Sequence, residues 1–134
     1  MTTPNSPKIL VIEDNPGNAQ LITVLLKING FPDYEVCASG QEALVLIQKS
    51  RFNLVLLDLQ LRGENGYQIL KRFRENPTMT GVPIVAVTAQ VMPEEVSQAD
   101  EAGFNGFLGK PLNFDHFPDQ IRRLLLGERV WEPR

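Results

Sequence analysis

Five polar residues stand directly after short apolar runs of the chain. They are Glu13, Asp14, Asp58, Thr88 and Lys110. Short apolar runs bounded by turn-forming residues are typical of buried parallel strands. In open α/β sheets the ligand crevice lies at the carboxyl ends of such strands. We therefore expect three carboxylates, one hydroxyl and one ammonium group to converge on a single pocket.

The charges in this pocket call for a divalent cation. Like charges within about 4–6 Å of one another cost stability unless something compensates them. Oxygen ligands without histidine or cysteine favour Mg²⁺, Mn²⁺ or Ca²⁺ over zinc. Mg²⁺ commonly shares its coordination sphere with phosphate oxygens, for which Thr88 and Lys110 offer further donors. This set indicates phosphoryl transfer, with Asp58 as the candidate nucleophile and Glu13 and Asp14 as metal ligands.

The elements that position these residues alternate between strand and helix along 134 residues. Asn15-Pro16 is a typical helix start, Pro93–Ala102 is predicted as a fourth helix, and 113–126 as a fifth. Such alternation predicts a flavodoxin-like (βα)5 fold. It has a doubly wound parallel sheet of five strands in the order 2-1-3-4-5, with helices on both faces. In that order strands 1 and 3 are neighbours.

The composition is that of one ordinary globular domain. With 43% apolar residues, 22% charged residues and a net charge of −3, nothing indicates disorder or a nucleic-acid partner. Cys37 is the only cysteine, so no intrachain disulfide is possible. No apolar run approaches the roughly 20 residues that span a bilayer, and residues 1–7 lack a signal-peptide core. We expect a soluble, cytoplasmic protein with a flexible N-terminus at 1–7, a domain at 8–126 and a tail at 127–134.

At these residues the chain resembles the receiver domain of bacterial two-component response regulators, the CheY-like superfamily. The motifs are Glu13-Asp14-Asn15, Asp58 with Gly66 downstream, Val87-Thr88-Ala89 and Phe107-Leu108-Gly109-Lys110-Pro111. The resemblance covers nearly all of residues 8–126. The segment 82–89, together with the absence of an output domain, resembles single-domain regulators of the DivK type.

The resemblance implies a role for each residue of the pocket. Asp58 would accept a phosphoryl group from a phosphohistidine on a sensor histidine kinase or a phosphotransfer protein. Mg²⁺, or Mn²⁺ in its place, would be held by Asp14, by Asp58, by Glu13 mainly through water, and by the backbone carbonyl of Gln60. Thr88 would contact the phosphoryl oxygens. The chain would catalyse only its own phosphorylation and dephosphorylation, without direct nucleic-acid or membrane binding.

Further implications concern how the signal leaves the pocket. Lys110 would also contact the phosphoryl oxygens, and its bond to Pro111 would be cis. Phe107 stands in the place of the switch aromatic, which moves inward when Thr88 moves toward the phosphate. Gln60 and Gln90 flank the site, at positions where relatives tune the lifetime of the phosphorylated state. The partner-binding surface would consist of the fourth helix, the fifth strand and the fifth helix.

Two residues depart from the pattern of these relatives, and Pro118 is a separate local irregularity. Relatives commonly carry a proline four residues after the phosphorylated aspartate, where this chain has Arg62. We expect a looser loop and a nearby positive charge there, or simply an exposed arginine. Phe107 has no hydroxyl, so a switch must work through packing. Pro118 lies early in the fifth helix and costs a hydrogen bond unless that helix begins late.

Other classes of protein remain as alternatives. A phosphorylation-independent adaptor would use the same fold only as a binding surface. A haloacid-dehalogenase-type phosphatase also uses an aspartate nucleophile, but it needs a second acid two residues later, where this chain has Gln60. A flavodoxin-like flavin carrier would need a hydroxyl-rich loop after the first strand, in place of Glu13 and Asp14.

Overall fold

Parallel strands alternate with helices throughout the computed structural model, which describes residues 6–134. The strands are β1 (Ile9–Ile12), β2 (Tyr34–Cys37), β3 (Leu54–Asp58), β4 (Ile84–Thr88), β5 (Gly106–Gly109) and β6 (Val130–Glu132). The helices are α1 (Pro16–Ile28), α2 (Gly40–Lys49), α3 (Gly66–Arg74), α4 (Pro93–Ala102) and α5 (Phe117–Leu125), with a short 3-10 helix at Pro77–Met79.

Within the described residues 6–134 the sheet has six strands in the order β2-β1-β3-β4-β5-β6, and every neighbouring pair is parallel. The predicted order of the first five is confirmed, whereas the predicted number of five strands is wrong. The additional strand β6 lies within the segment 127–134. Its three residues are too few to show a periodic pattern in the sequence, and its position is set by pairing with β5.

Helices cover both faces of the sheet, as predicted. Buried side chains of α2, α3 and α4 form one core cluster with alternate strand residues, among them Leu10 and Ile12. Side chains of α1 and α5 form the second cluster with the intervening residues, among them Ile9 and Val11. Because successive strand residues point to opposite faces, a continuous apolar strand supplies both cores.

The helix ends follow local sequence signals. The Asn15 side chain accepts a hydrogen bond from the backbone N–H of Asn18, which caps α1 ahead of Pro16. Helix α4 has the predicted bounds and ends at Gly103, whose φ of 96° is left-handed. The Asn15 cap directly follows Glu13 and Asp14 and so fixes the loop in which these two pocket residues lie.

Helix α5 begins at Phe117, later than the predicted start at residue 113. The side chain of Asn113 accepts hydrogen bonds from the backbone N–H groups of Asp115 and His116, which forms a turn before the helix. Pro118 therefore lies in the first turn, where its missing N–H has no intrahelical partner to lose. Because α5 begins late, Pro118 does not cost the helix the hydrogen bond that an earlier start would lose.

Most of the N-terminal segment predicted to be flexible, residues 1–5, lies outside the described residues. Within residues 6–134, none of the helices is long and apolar enough to cross a membrane.

Candidate functional site: an acidic pocket at the strand ends

The structure brings the three predicted carboxylates together. Glu13 and Asp14 follow β1, Asp58 ends β3, and these two strands are neighbours. Each residue offers a carboxylate oxygen within 4.8 Å of the others. Glu13 and Asp58 are only 3% and 4% exposed, whereas Asp14 is half-buried at the mouth. The pocket is therefore acidic and largely closed to water on its inner side.

Two of the carboxylates are oriented by the loops that follow their strands. Glu13 Oε1 accepts a hydrogen bond from the backbone N–H of Asn15 at 3.1 Å. Asp58 Oδ1 accepts one from the backbone N–H of Gln60 at 2.9 Å. In each case the second oxygen, Oε2 or Oδ2, faces the lysine of the pocket.

Asp14 is oriented from another loop, through a contact that the sequence did not indicate. Its Oδ2 accepts a hydrogen bond from the backbone N–H of Arg62 at 2.9 Å. Proline has no N–H and could not donate this bond. The replacement of the family's usual proline therefore links the loop after β3 to Asp14, while the residue itself is exposed.

Lys110 supplies the positive charge of the pocket. Its Nζ lies 3.0 Å from Glu13 Oε2 and 3.5 Å from Asp58 Oδ2. The Lys110–Pro111 bond is cis, as predicted. The backbone N–H of Lys110 donates to the carbonyl of Thr88 at 2.8 Å, which holds the ends of β4 and β5 together.

Thr88 ends β4 and is 1% exposed. Its hydroxyl accepts a hydrogen bond from the backbone N–H of Gln90 at 3.0 Å and donates to Gln60 Oε1 at 3.4 Å. The backbone N–H of Ala89 donates to the same Gln60 oxygen at 3.2 Å. The side-chain oxygen of Gln60 thus accepts hydrogen bonds from both the Thr88 hydroxyl and the Ala89 N–H. Sequence reasoning missed this role because it depends on the side-chain conformation.

Burial raises the pKa of Glu13, and the neighbouring Asp58 charge acts in the same direction. The hydrogen bond from Lys110 opposes this rise, since it stabilises the ionised carboxylate. The net direction of the Glu13 pKa is upward because burial outweighs these contacts, so Lys110 does not fully compensate the buried carboxylate. A divalent cation would do so, and the all-oxygen donor set of Glu13, Asp14 and Asp58 matches the preference of Mg²⁺ or Mn²⁺.

Phe107 of β5 lies outside the pocket and is fully buried. Its ring packs against Trp131 of β6, with ring centroids 5.3 Å apart and an interplanar angle of 40°. Sequence reasoning singled out Phe107 but missed this neighbour, because Trp131 was assigned to the tail.

Both the fold and this arrangement are those of receiver domains, and comparison with known proteins agrees. The model of the family described as "Response regulator receiver domain" matches residues 9–122. The chain belongs to this family. Receiver domains interact with histidine kinases or phosphotransfer proteins, bind Mg²⁺ at an acidic site, and are generally not classical enzymes.

Similar proteins include longer and shorter members of the family. The DNA-binding response regulator MtrA of Mycolicibacterium smegmatis is 35% identical over 118 residues, which are 88% of this chain and 50% of MtrA. The chain thus spans about half the length of that relative. Chemotaxis protein CheY-3 of Vibrio cholerae is 30% identical over 117 residues, which are 87% of this chain and 90% of CheY-3.

Solved structures show the same fold. The receiver domain of the sensor histidine kinase PA1611 from Pseudomonas aeruginosa has a TM-score of 0.77 and 28% sequence identity, over 90% of this chain and 98% of that domain. In that structure a magnesium ion is coordinated in the active-site cleft.

Proposed function

We propose that Asp58 is the phosphoacceptor of this receiver domain and that its donor is a phosphohistidine on a sensor histidine kinase or a phosphotransfer protein in the cytoplasm. The environment of the Asp58 carboxylate is the observation that carries the proposal. The group ends a central strand, one oxygen is fixed by the Gln60 N–H, and the other faces Lys110. A buried, oriented carboxylate beside an ammonium group is suited to nucleophilic attack on phosphorus.

The transfer exchanges one bond to phosphorus for another. An oxygen of Asp58 attacks the phosphorus, the new O–P bond forms, and the P–N bond of the donor breaks. The imidazole of the donor leaves with the electron pair of that bond. The product is an acyl phosphate on Asp58, which the chain stores and later loses to water, so that its own phosphorylation and dephosphorylation are the only reactions.

Glu13, Asp14 and Asp58 would hold Mg²⁺ or Mn²⁺, with the backbone carbonyl of Gln60 as a further ligand. Their oxygens lie close enough together to share one ion. When bound, the metal neutralises the negative charge that develops on the phosphoryl oxygens. Lys110, whose Nζ lies 3.5 Å from Asp58 Oδ2, would contribute a positive charge to the same oxygens.

Thr88 responds to the new charge by exchanging hydrogen-bond partners. A hydroxyl group has a single hydrogen, so Thr88 cannot donate to Gln60 and to a phosphoryl oxygen at once. Phosphorylation therefore replaces the bond to Gln60 with a charge-assisted one. This exchange is the proposed first step by which phosphorylation changes the conformation of the protein. In the second step the ring of Phe107 moves after Thr88.

We propose that a protein partner binds the α4–β5–α5 surface in a phosphorylation-dependent way. The surface joins the pocket through β5, since Lys110 follows that strand directly. Here the surface also includes β6 along the edge of β5.

Intact-protein mass spectrometry tests the proposal. The wild-type chain is incubated with Mg²⁺ and a small acyl-phosphate donor, and we expect a gain of one phosphoryl group. Asp58→Asn should abolish the gain, and chelation of the metal should prevent it. A wild-type chain that gains no mass, although its fold is intact by circular dichroism, would instead favour the phosphorylation-independent adaptor.

A further inference from the structure

The C-terminal segment, residues 127–134, lies along the edge of the sheet beside β5. Its strand pairs in parallel, with Gly106 opposite Val130, Phe107 opposite Trp131 and Leu108 opposite Glu132. The backbone hydrogen-bonding groups of β5 on this side are thus used within the chain. A partner that approached the α4–β5–α5 surface would meet this segment instead of a free β5 edge.

Side chains of the segment enter both cores of the protein. Val130 is 1% exposed and belongs to the cluster formed by α1 and α5. Trp131, the next residue, points to the opposite face and covers Phe107. A strand of only three residues is therefore anchored from both sides of the sheet.

The backbone of the segment approaches β5 so closely that the opposing positions must be glycine. A Cβ atom at residue 109 would overlap the backbone of Pro133. A Cβ atom at residue 106 would lie 2.9 Å from the carbonyl oxygen of Val130. Gly109 and Pro133 consequently have no free space between them, and neither can shift toward the other.

Polar contacts join the segment to the flanking helices. Glu132 accepts a hydrogen bond from the side chain of Gln120 on α5 at 3.1 Å. Arg129 forms an ion pair with Asp100 on α4 at 2.8 Å and lies over the Trp131 ring at 4.1 Å. The segment is therefore in contact with every element of the expected partner surface.

The opposite edge of β5 touches the pocket. Gly109 pairs with Thr88, and the next residue, Lys110, donates its backbone N–H to the Thr88 carbonyl. Of the two side chains proposed to bind the phosphoryl group, Lys110 follows the end of β5 against which Pro133 packs, and Thr88 ends the neighbouring strand β4. A displacement of this end of β5 toward Asp58 would move it away from Pro133 and open a gap beneath the C-terminal segment.

We propose that docking of the C-terminal segment on β5 is coupled to the state of Asp58: the segment is docked in the unmodified protein and loosens on phosphorylation. This inference rests on the proposed function. In the present structure Lys110 is closer to Glu13 than to Asp58, and the segment is docked. A phosphoryl group on Asp58 draws Lys110 and Thr88 toward itself and moves the end of β5 away from the position that fits Pro133.

Trp131 allows a direct test, because it is the only tryptophan of the chain. The 134-residue chain with Mg²⁺ is titrated with beryllofluoride, a mimic of a phosphoryl group on a carboxylate, and binding is followed by ¹⁹F NMR. We expect binding to shift Trp131 emission to longer wavelength and to accelerate hydrogen exchange of residues 127–134. Asp58→Asn should show neither change.

The coupling must also act in reverse, because linkage between two sites is reciprocal. Trp131→Ala should tighten beryllofluoride binding by about fivefold or more, the lower range of ordinary coupling. Trp131→Phe keeps an aromatic ring on Phe107 and should bind with nearly wild-type affinity. Arg129→Ala removes a smaller part of the contacts that hold the segment, and it should also raise the affinity for beryllofluoride, by less than Trp131→Ala does. Val36→Ala, at the opposite edge of the sheet, serves as the control and should have no effect.

The outcomes separate the two proposals. Bound beryllofluoride with unchanged Trp131 emission and unchanged exchange would overturn the coupling alone. Equal or weaker affinity in both Trp131→Ala and Arg129→Ala would do the same. If the wild-type chain binds no beryllofluoride at all, the proposed function fails and the coupling fails with it.

Discussion

The acidic pocket and the edge formed by β6 lie on two sides of β5 and are encoded in different ways. In the pocket, each essential group is a polar side chain that ends a strand, as with Asp58 and Thr88, or directly follows one. At the edge, β6 is held by backbone pairing, by two apolar side chains and by glycines on the opposing strand. Few residue types can perform the chemistry of the pocket, whereas many short segments could pair with a strand. The first region is therefore visible in the sequence and the second is not.

Replacing Phe107 by alanine should cause the largest loss of stability among these variants. Comparison with Trp131→Ala measures how much the β6 edge contributes to stability relative to the core. Phe107 is fully buried, so we expect a loss of about 3–5 kcal/mol in the free energy of unfolding. Trp131→Ala should cost less than half of that, since Trp131 is half-buried at the sheet edge. Urea denaturation measures both. Equal losses would mean that β6 is as integral to the fold as the strands of the core.

Asp14→Asn should weaken Mg²⁺ binding to the pocket and at the same time stabilise the metal-free protein. Loss of a ligand carboxylate should weaken Mg²⁺ binding more than about tenfold, which corresponds to 1.4 kcal/mol. The metal-free protein should become more stable, because a like charge leaves a crowded site. Titration calorimetry and thermal unfolding in a chelator measure the two effects. Glu101→Gln, on an exposed surface of α4, is the control, and a destabilised metal-free Asp14→Asn protein would contradict the prediction.

Arg62→Pro removes the backbone N–H that donates a hydrogen bond to Asp14 Oδ2. One hydrogen bond contributes about 0.5–1.5 kcal/mol, so Mg²⁺ affinity should fall by roughly two- to tenfold. Arg62→Ala keeps the N–H and should bind Mg²⁺ as the wild type does. If both variants lose affinity equally, the exposed guanidinium rather than the backbone contact acts on the pocket.

Gln60→Ala should have the smallest effect. It frees the Thr88 hydroxyl and the Ala89 N–H from a competing acceptor. Because those bonds are long, we expect beryllofluoride affinity to rise by only about two- to fivefold, or less than about 1 kcal/mol. Gln48→Ala, at an exposed glutamine of α2 away from the pocket, is the matched control. Weaker binding by Gln60→Ala would show that Gln60 supports the bound state.

Sequence reasoning placed the residues of the pocket because parallel strands deliver their carboxyl ends to one edge. The prediction extended to the neighbouring positions of β1 and β3, and the resemblance to receiver domains added the cis bond before Pro111. It did not extend to the partners of Gln60 or to the contact between Arg62 and Asp14. Those contacts depend on loop conformations and on the rotamer of a long side chain, neither of which a residue pattern specifies.

The helix and strand predictions failed where two local signals competed or where an element was very short. Pro118 indicates a late start for α5, whereas the predicted helix begins at residue 113, ahead of the observed start at Phe117. Strand β6 carries one β-branched and one aromatic residue, which is too little to separate a strand from a tail. Its pairing depends on the shape of β5, which only the folded structure reveals.

The glycines of β5 also define a diagnostic for relatives of this chain. A larger residue at the position of Gly109, directly before the lysine, leaves no room for the backbone of Pro133. Receiver domains with a side chain there cannot seat a sixth strand in this way, whatever sequence follows α5. A glycine at that position, combined with a β-branched and an aromatic residue a few positions beyond α5, would identify members that close this edge of the sheet with the segment that follows α5.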